Sequence, residues 1–235
     1  MIDTLSVFFP AYNEEANLEN TVVKTQKILQ KNFKNWEILI INDGSKDKTP
    51  EIANKLAKSD KHIRVIHHSP NKGYGAALTT GFYEAKYPWV AFSDSDGQFD
   101  FSEITKFIDK QDKTGADVVI GYYLERQVPK SVILTSKIWE IIIFILFGLH
   151  VRDIDCAFKL VSKKAINAIP HLESQRGAFI TSELLIKVKK NGFKIAEVGV
   201  HHFARAGGKA TGRNIKVIIK SFTDLFRLWL KLQSV

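Results

Sequence analysis

The sequence predicts an α/β fold, in which a mostly parallel sheet is flanked by helices and followed by an amphipathic C-terminal helix. Short apolar runs alternate with helix-period patterns through the first half of the chain, which is typical of parallel strands joined by helices. Polar motifs directly follow these apolar runs, at the end of such a sheet where ligands bind. The last segment separates basic from aromatic residues around one helix.

Each element is predicted from its hydrophobic period. The predicted strands are residues 5–9, 36–41, 63–66, 89–92, 117–120 and 194–200. The predicted helices of the first half are residues 16–31, 50–58, 75–85 and 103–113. Residues 132–149 are strongly apolar, but Lys137 and Glu140 interrupt them, and a spanning helix needs about 20 apolar residues. We therefore expect a buried or interfacial helix there.

Length and composition fit one principal domain. With 235 residues, 45% of them hydrophobic, the chain can bury a substantial core. We expect this domain over residues 1–213, with the apolar helix 132–149 inside it, and a separate amphipathic helix over residues 214–235. The net charge of +9 favours anionic partners, which include nucleic acid, anionic lipid and phosphorylated substrates. Cys156 is the only cysteine, so no intrachain disulfide forms and a reducing compartment is favoured.

The most informative motif is a pair of carboxylates after the fourth predicted strand. Asp94 and Asp96 stand two residues apart there, so both can converge on one hard cation. Mg²⁺ and Mn²⁺ prefer oxygen ligands and bridge diphosphates. A metal held by this pair would stabilise the negative charge that develops on a departing diphosphate. An ordinary surface loop is the alternative for an isolated pair of this kind.

Three further motifs follow the first three strands. Tyr12 offers a stacking face and Glu14 an acceptor for a nucleotide base, although the same residues also suit a turn before a helix. Asp43 precedes a glycine that permits a tight turn and leaves the carboxylate facing the end of the sheet. Residues 71–75 contain glycines that let the backbone approach a nucleotide closely.

Taken together and in this order, the four motifs resemble those of the family 2 glycosyltransferases. The resemblance covers roughly residues 5–126 and implies a Rossmann-like GT-A fold, a nucleotide-sugar donor and a Mg²⁺ or Mn²⁺ cofactor. The metal-side residues that it implies, the first two of them catalytic, are Asp94, Asp96 and Gln98. The donor-side residues are Pro10, Ala11, Tyr12, Glu14 and Asp43, joined by Lys72 and Gly75 of the glycine-containing segment.

The second half looks like that of the dolichyl- and polyprenyl-phosphate sugar synthases. Residues 153–159 are similar to their Asp…Phe-Arg/Lys segment, and residues 202–212 to their Arg-x-x-Gly loop. In many members that loop ends in Ser-Lys, whereas here the lysine comes earlier, at Lys209. We expect Arg205 and Lys209 to bind the donor diphosphate, because cations beside glycines can close on it.

The acceptor side is predicted from the remaining charged residues of the second half. The acceptor residues expected there are Asp153, Lys159 and Glu183. Asp155 is a candidate general base for a hydroxyl acceptor. A lipid phosphate is already an anion at neutral pH, so it needs positioning by cations such as Lys159 and Arg126 more than deprotonation.

These observations favour an enzyme that transfers a hexose with inversion. Mannose or glucose would pass from a GDP- or UDP-sugar to a polyprenyl phosphate, dolichyl or undecaprenyl. One alternative is transfer to a hydroxyl of a polysaccharide or glycolipid. Another is a non-enzymatic basic module that binds membrane or nucleic acid. Because the basic residues are dispersed and no recognition motif is present, we expect no nucleic-acid partner.

The C-terminal helix predicts attachment to a membrane surface. Its basic stripe contains Lys216, Lys220, Arg227 and Lys231, and the opposite side contains Phe222, Leu225, Phe226, Trp229 and Leu232. This pattern suits a helix lying in the membrane plane, and a helix docked on the core would look similar. We expect a cytoplasmic protein, peripheral on the cytoplasmic face of the membrane, with a membrane-protein partner as a further option.

Overall fold

The computed structural model describes residues 2–125, 130–175, 177, 179–205, 207 and 215–233. The strands are β1 (Thr4–Ala11), β2 (Asn35–Asn42), β3 (Ile63–His67), β4 (Trp89–Phe92), β5 (Val118–Tyr123), β6 (Lys159–Ser162) and β7 (Ile195–Val200). The α-helices are α1 (Leu18–Asn32), α2 (Thr49–Ser59), α3 (Tyr74–Glu84), α4 (Ile104–Thr114), α5 (Lys130–Phe147), α6 (Lys163–Ala168), α7 (Phe179–Lys190) and α8 (Ile215–Gln233). A 3₁₀ helix, Phe101–Glu103, precedes α4.

The strands form one seven-stranded sheet in the order β3-β2-β1-β4-β6-β5-β7. The pairs β3–β2, β2–β1, β1–β4 and β5–β7 are parallel, which confirms the predicted α/β fold with a mostly parallel sheet. Strand β6 is antiparallel to both of its neighbours, β4 and β5. The sequence did not predict β6, because it has only four residues, all of them buried, and so shows no alternation between polar and apolar positions.

Helices cover both faces of the sheet, and each face has its own core. Helices α1, α2 and α4 pack on one face around Phe9, Phe107 and Phe158. Helices α3, α5, α6, α7 and α8 pack on the other face around residues that include Phe8 and Phe82. This explains why β1 and β2 read as continuous apolar runs, since strands buried on both faces do not alternate.

The two apolar helices, α5 and α8, are each only partly buried. Ile143 and Phe147 of α5 lie in the core, as do Leu225 and Leu228 of α8. Helix α8 is therefore partly a core element, and the predicted aromatic side is divided, with Leu225 buried and Phe226 exposed. Among the residues described, no helix combines the length and apolarity needed to cross a membrane.

Candidate active site

Four charged side chains meet at the edge of the sheet where β1 and β4 end. Glu14 follows β1, Asp94 and Asp96 follow β4, and Arg205 follows β7. Because β1 and β4 are parallel, their carboxyl ends bring the three carboxylates into one region. Asp96 and Glu14 are both buried, so this cluster holds negative charges where water screens them poorly.

The electrostatics of Asp94 reflect that crowding. Burial is the largest influence and, together with the charge of Asp96, raises the pKa of Asp94 to about 7. The hydroxyl of Tyr74 donates to Asp94 Oδ1 at 3.0 Å and partly opposes that increase in pKa. The same burial and the nearby carboxylate raise the pKa of the Tyr74 hydroxyl well above its usual value. Asp94 and Asp96 therefore carry more negative charge than the groups around them neutralise.

Arg205 supplies the main positive charge to this cluster. One guanidinium nitrogen forms an ion pair with Glu14, and another lies 3.4 Å from Asp96 Oδ2. Arg205 Nε also donates to the carbonyl of Gly207 at 2.7 Å. Asn17 donates to both Glu14 Oε2 and the Gly207 carbonyl, at 3.0 and 3.1 Å. Arg205 is thus fixed beside Asp96, one of the two carboxylates that the sequence assigned to the metal.

The segment that carries Arg205 is held at two earlier points. Phe203 and Gln98 exchange hydrogen bonds, with Phe203 N donating to Gln98 O at 2.8 Å and Gln98 Nε2 donating to Phe203 O at 2.9 Å. Glu103 accepts from His201 N at 2.9 Å and from the His201 ring at 2.8 Å. The backbone N–H of Gln98 donates to Asp96 Oδ1 at 3.1 Å. Gln98 therefore links the Asp-x-Asp loop to the arginine loop.

The donor atoms present fit a hard divalent cation. Asp94 and Asp96 would provide carboxylate oxygens, and Gln98, whose amide nitrogen donates to Phe203 O, would provide its amide oxygen. Within the described part of the chain, no group of three or more His, Cys, Asp or Glu side chains is placed to hold a metal. Mg²⁺ is often held by one or two carboxylates and substrate phosphates, and a cation would relieve the repulsion that raises the pKa of Asp94.

A cavity of about 530 Å³ lies between the loops after β1, β2 and β3. Its lining includes Tyr12, Ser45, His68 and Asn71. Tyr12 is exposed there and offers its ring to a planar ligand, as a nucleotide base requires. Glu14 does not line this cavity, because its carboxylate contacts Arg205 and Asn17.

Asp43 shapes that cavity by holding the loop after β3. Its carboxylate accepts from His68, from the Asn71 side chain and from the backbone N–H groups of Lys72 and Gly73, at 2.7–2.9 Å. Lys72 thus contributes its backbone N–H to this arrangement. The turn after Asp43 depends on Gly44, whose φ of +70° suits glycine.

Three donor-side residues have structural surroundings of their own. Pro10 and Ala11 end β1 and are buried, and the carbonyl of Pro10 accepts from Ser95 Oγ at 2.7 Å. That bond ties the end of β1 to the Asp-x-Asp loop. Gly75 opens α3 against the carbonyl of Ser174, where a Cβ would overlap it. The close approach that Gly75 allows is therefore to this chain's own backbone, and its contact with a donor stays a prediction.

The acceptor-side residues fall into different environments. Asp155 is exposed, whereas Asp153 is buried and accepts from the backbone N–H groups of Asp155 and Cys156 at 3.0 and 3.2 Å. Lys159 is completely buried and donates to the carbonyls of Ile154 and Cys156. Burial lowers the pKa of Lys159, and the charges of nearby acidic groups oppose that decrease. Because its ammonium group is enclosed, the structure gives no support to the prediction that Lys159 positions an acceptor phosphate.

Glu183 is not the free carboxylate that we expected. It is only 2% exposed and forms an ion pair of 2.5 Å with Lys187, one turn further along α7. It also accepts from the backbone N–H groups of Glu173 and Ser174, both at 2.9 Å. Burial raises the pKa of Glu183, but these hydrogen bonds outweigh that effect and lower it. Glu183 therefore shapes the segment that packs against Gly75.

Several residues that organise the site were missed from the sequence. Tyr74 contacts Asp94, Asn17 contacts Glu14, and Glu103 holds the segment before Arg205. The signal for Tyr74 was its position between two glycines at a helix start. Two predicted site residues, Arg126 and Lys209, lie outside the described residues, as do the side chains of Lys216 and Lys220.

The fold and the carboxylate cluster at its edge define a glycosyltransferase of the GT-A class. Residues 6–169 match Glycosyl transferase family 2, and the chain belongs to this family.

Similar proteins from other organisms support this assignment. A dolichyl-phosphate β-glucosyltransferase of Trichomonas vaginalis is 32% identical over 237 residues, covering 95% of this chain and 72% of the relative. The UDP-N-acetylglucosamine–dolichyl-phosphate N-acetylglucosaminyltransferase of Methanococcus voltae is 30% identical over 242 residues, covering 94% of each chain.

Among solved structures, the chain is similar to glucosyl-3-phosphoglycerate synthase of Mycobacterium tuberculosis, in a complex with Mn²⁺, UDP and phosphoglyceric acid. The TM-score is 0.68 at 19% sequence identity, and the match covers 93% of this chain and 78% of the other. This likeness shows the fold that the two chains share.

Replacing one carboxylate of the cluster tests its role. We predict that Asp96→Asn lowers the rate of sugar transfer at least 100-fold, because a metal that stabilises the leaving diphosphate contributes several kcal/mol. Asp109→Asn is the matched control, since Asp109 is exposed on α4, and it should leave the rate unchanged. Rates are measured with Mn²⁺ or Mg²⁺ present and in EDTA. Full activity of Asp96→Asn, or of the wild type in EDTA, would contradict the metal assignment.

The buried pair in α7 gives a second prediction. Glu183→Gln leaves the Lys187 ammonium buried without its counter-ion, so the free energy of unfolding in urea should fall by about 3–5 kcal/mol. The double variant Glu183→Gln, Lys187→Met should regain most of that loss. The KM for the acceptor, per folded enzyme, should stay unchanged. A normal stability together with a raised acceptor KM would instead make Glu183 an acceptor residue.

Proposed function

We propose that this protein transfers a hexose, with inversion, from a nucleoside-diphosphate sugar to a polyprenyl phosphate at a membrane surface. The observation that carries the proposal is an exposed apolar face on a chain of glycosyltransferase family 2. We call it the apolar face, and it consists of Leu134, Ile138, Ile141 and Ile145 of α5 with Phe222, Phe226 and Leu230 of α8.

The apolar face has the form of an in-plane membrane contact. Its α5 residues recur every three or four positions, opposite the buried Ile143 and Phe147. Helix α8 contacts α5: the Phe222 ring of α8 packs edge-on against Trp139 of α5, with ring centroids 5.1 Å apart. Apolar side chains of this number are rarely left in water by monomeric proteins, and an amphipathic pair of helices can bury them at the lipid headgroup boundary.

A UDP-sugar is the donor that the relatives favour. Relatives of this chain are named for dolichyl-phosphate glucosyl and N-acetylglucosaminyl transfer, and one name specifies the UDP-sugar. We therefore favour UDP-glucose, and we keep GDP-sugars and mannose as the less supported option. The stacking surface of Tyr12 in the 530 Å³ cavity suits the nucleotide base.

The residues of the chain have separable roles in this reaction. Asp94 and Asp96, with Gln98, would hold Mg²⁺ or Mn²⁺, which when bound stabilises the negative charge of the departing diphosphate. Arg205 lies beside Asp96 and provides planar donors that suit a diphosphate. A phosphate acceptor is already ionised at neutral pH and needs no general base, so this function requires positioning and charge stabilisation above all.

A hydroxyl acceptor on a polysaccharide or glycolipid is the second candidate function. It would need a general base, and Asp155 is an exposed carboxylate close to the cluster. Desolvation is the main cause of the raised pKa of the partly buried Tyr123, and the charges of Asp153, Asp94 and Asp155 add to it. The apolar face favours a membrane-bound acceptor over a soluble polysaccharide, and the relatives named for dolichyl phosphate favour a lipid phosphate over a glycolipid hydroxyl.

Attachment to the cytoplasmic face of the membrane is part of the proposal. Arg227 and Lys231 are exposed on α8, where Arg227 lies 4.0 Å from Asp224 and Lys231 pairs with Glu173. At the membrane surface, these basic residues would meet acidic headgroups. We do not include a membrane-protein partner, because none of the comparisons supports one.

The donor and acceptor can be tested together. We predict that UDP raises the melting temperature of the protein more than GDP does when Mn²⁺ is present, by mass action on the folded state. Radiolabelled sugar from UDP-glucose should pass to a short polyprenyl phosphate, and EDTA should abolish the transfer. A protein that transfers equally well to an oligosaccharide and ignores the lipid phosphate would contradict the lipid acceptor.

The apolar face is tested by substitution in place of truncation, since removing α8 would also remove Leu225 and Leu228 from the core. We predict that Phe222→Ser with Phe226→Ser weakens binding to neutral vesicles at least tenfold, because each buried Phe contributes about 1.5–3 kcal/mol. Transfer to lipid should fall in parallel. Hydrolysis of soluble donor by the same variant is the internal control and should persist. Unchanged flotation and unchanged lipid transfer would refute the membrane role.

A further inference from the structure

A second cavity, of about 610 Å³, runs along the outer edge of β7, away from the carboxylate cluster. Strand β7 is the last strand of the sheet, so none of the described strands pairs with its outer edge. We call this cavity the basic groove. It lies between the C-terminal part of α4, the segment after α5 and the end of α7. Its basic lining residues are Lys110, His150, Arg152, Lys189 and Lys194.

The acidic side chains described beside these cations accept from backbone N–H groups, as Asp117 does from Lys194 N. Glu197 is the acidic residue that lines the groove, and its Oε1 accepts from the backbone N–H of Arg152 at 2.6 Å. The ammonium groups of Lys189 and Lys194 donate to the backbone carbonyls of Gly148 and Thr114. Within the ranges described, the ion pairs formed involve none of the groove's lysines or Arg152.

These contacts hold the cations in place and leave their charge available. Lys189 and Lys194 are exposed, so an anion can reach them from solvent. The Arg152 guanidinium lies over the ring of Tyr122, 4.6 Å from its centroid, and this stacking leaves donors at its edge. A groove with fixed cations and little acidic compensation favours a ligand with a compact, multiply charged group, and phosphate is the natural one.

The groove borders the apolar face along α5. Phe144 is 51% exposed on that flank of the helix, and its ring lies 5.8 Å from the ring of His150. Ile145, one residue further, is 72% exposed and belongs to the apolar face. Lys189 contacts the carbonyl of Gly148, directly after α5. If the apolar face enters a bilayer, the groove is therefore carried to the layer of lipid headgroups.

We propose that the basic groove binds the phosphate headgroups of acidic membrane lipids, and that it sets how the enzyme is oriented on the membrane. This inference rests on the proposed function, since it requires the apolar face to contact lipid. It adds a second lipid contact that is separate from the catalytic acceptor site. The groove supplies selectivity for acidic membranes, and the apolar face supplies binding to any membrane.

The test compares two double variants of the full chain that change the same charge. Lys189→Gln with Lys194→Gln removes two cations of the groove. Lys31→Gln with Lys58→Gln removes two exposed cations from α1 and α2, which lie at the opposite end of the sheet. Binding is measured by flotation on phosphatidylcholine vesicles with and without 30% phosphatidylglycerol. Free inorganic phosphate and a single-stranded oligonucleotide are added as competitors.

The groove variant should bind the acidic vesicles about 30-fold more weakly, because it loses the attraction of two cations to an anionic surface. It should bind neutral vesicles as the wild type does. The α1 and α2 variant should bind both like the wild type, and donor hydrolysis should be normal in each. An equal loss in both double variants would mean that net charge alone acts, and would overturn the proposal.

Three further outcomes would overturn the proposal, and one would support it. Displacement from acidic vesicles by millimolar phosphate would assign the groove to a soluble phosphate. Oligonucleotide binding that only the groove variant loses, with its vesicle binding intact, would assign it to nucleic acid. The proposal is supported if the wild type prefers acidic vesicles in the presence of both competitors and the groove variant does not. A protein that transfers sugar to polyprenyl phosphate but shows no acidic-lipid preference would refute the groove and leave the proposed function standing.

Discussion

The structure depends on one electrostatic constraint, which is that three carboxylates must be held together where water reaches them poorly. Glu14, Asp94 and Asp96 converge because β1 and β4 are parallel neighbours and end at the same edge. Neighbouring like charges disfavour ionisation. Burial, together with the charge of Asp96, raises the pKa of Asp94 to about 7. A site of this kind is stable only if cations and hydrogen-bond donors reach it.

The rest of the chain supplies those groups from distant positions. Arg205 arrives from the segment after β7 and contacts both Glu14 and Asp96. Its segment is fixed by Gln98 and Glu103, so the cation is positioned by the same loop that contains the carboxylates. The guanidinium neutralises part of the carboxylate charge, a role that a bound divalent cation would share. The arrangement is therefore preorganised for a divalent cation that arrives together with a diphosphate.

The sequence predicted the parts of this arrangement that are local and left out the parts that depend on pairing. Six of the seven strands could be predicted from their apolar runs, and so could Asp94 and Asp96 at the end of one of them. Strand β6 could not be, because four buried residues carry no period. Lys159 and Glu183 looked functional as isolated charges, whereas in the fold backbone carbonyls enclose the first and Lys187 neutralises the second. The i, i+4 spacing of Glu183 and Lys187 was the available signal for that pair.

The central claim is that the carboxylate cluster forms a cation site that a nucleoside diphosphate completes. Electron paramagnetic resonance of Mn²⁺, titrated into the protein with and without UDP, measures this directly through the loss of the free-ion signal. The account predicts weak Mn²⁺ binding alone, binding at least tenfold tighter with UDP, and no such gain when Asp94 and Asp96 are both changed to Asn. Mn²⁺ binding that is indifferent to UDP, or that survives the double substitution, would contradict it.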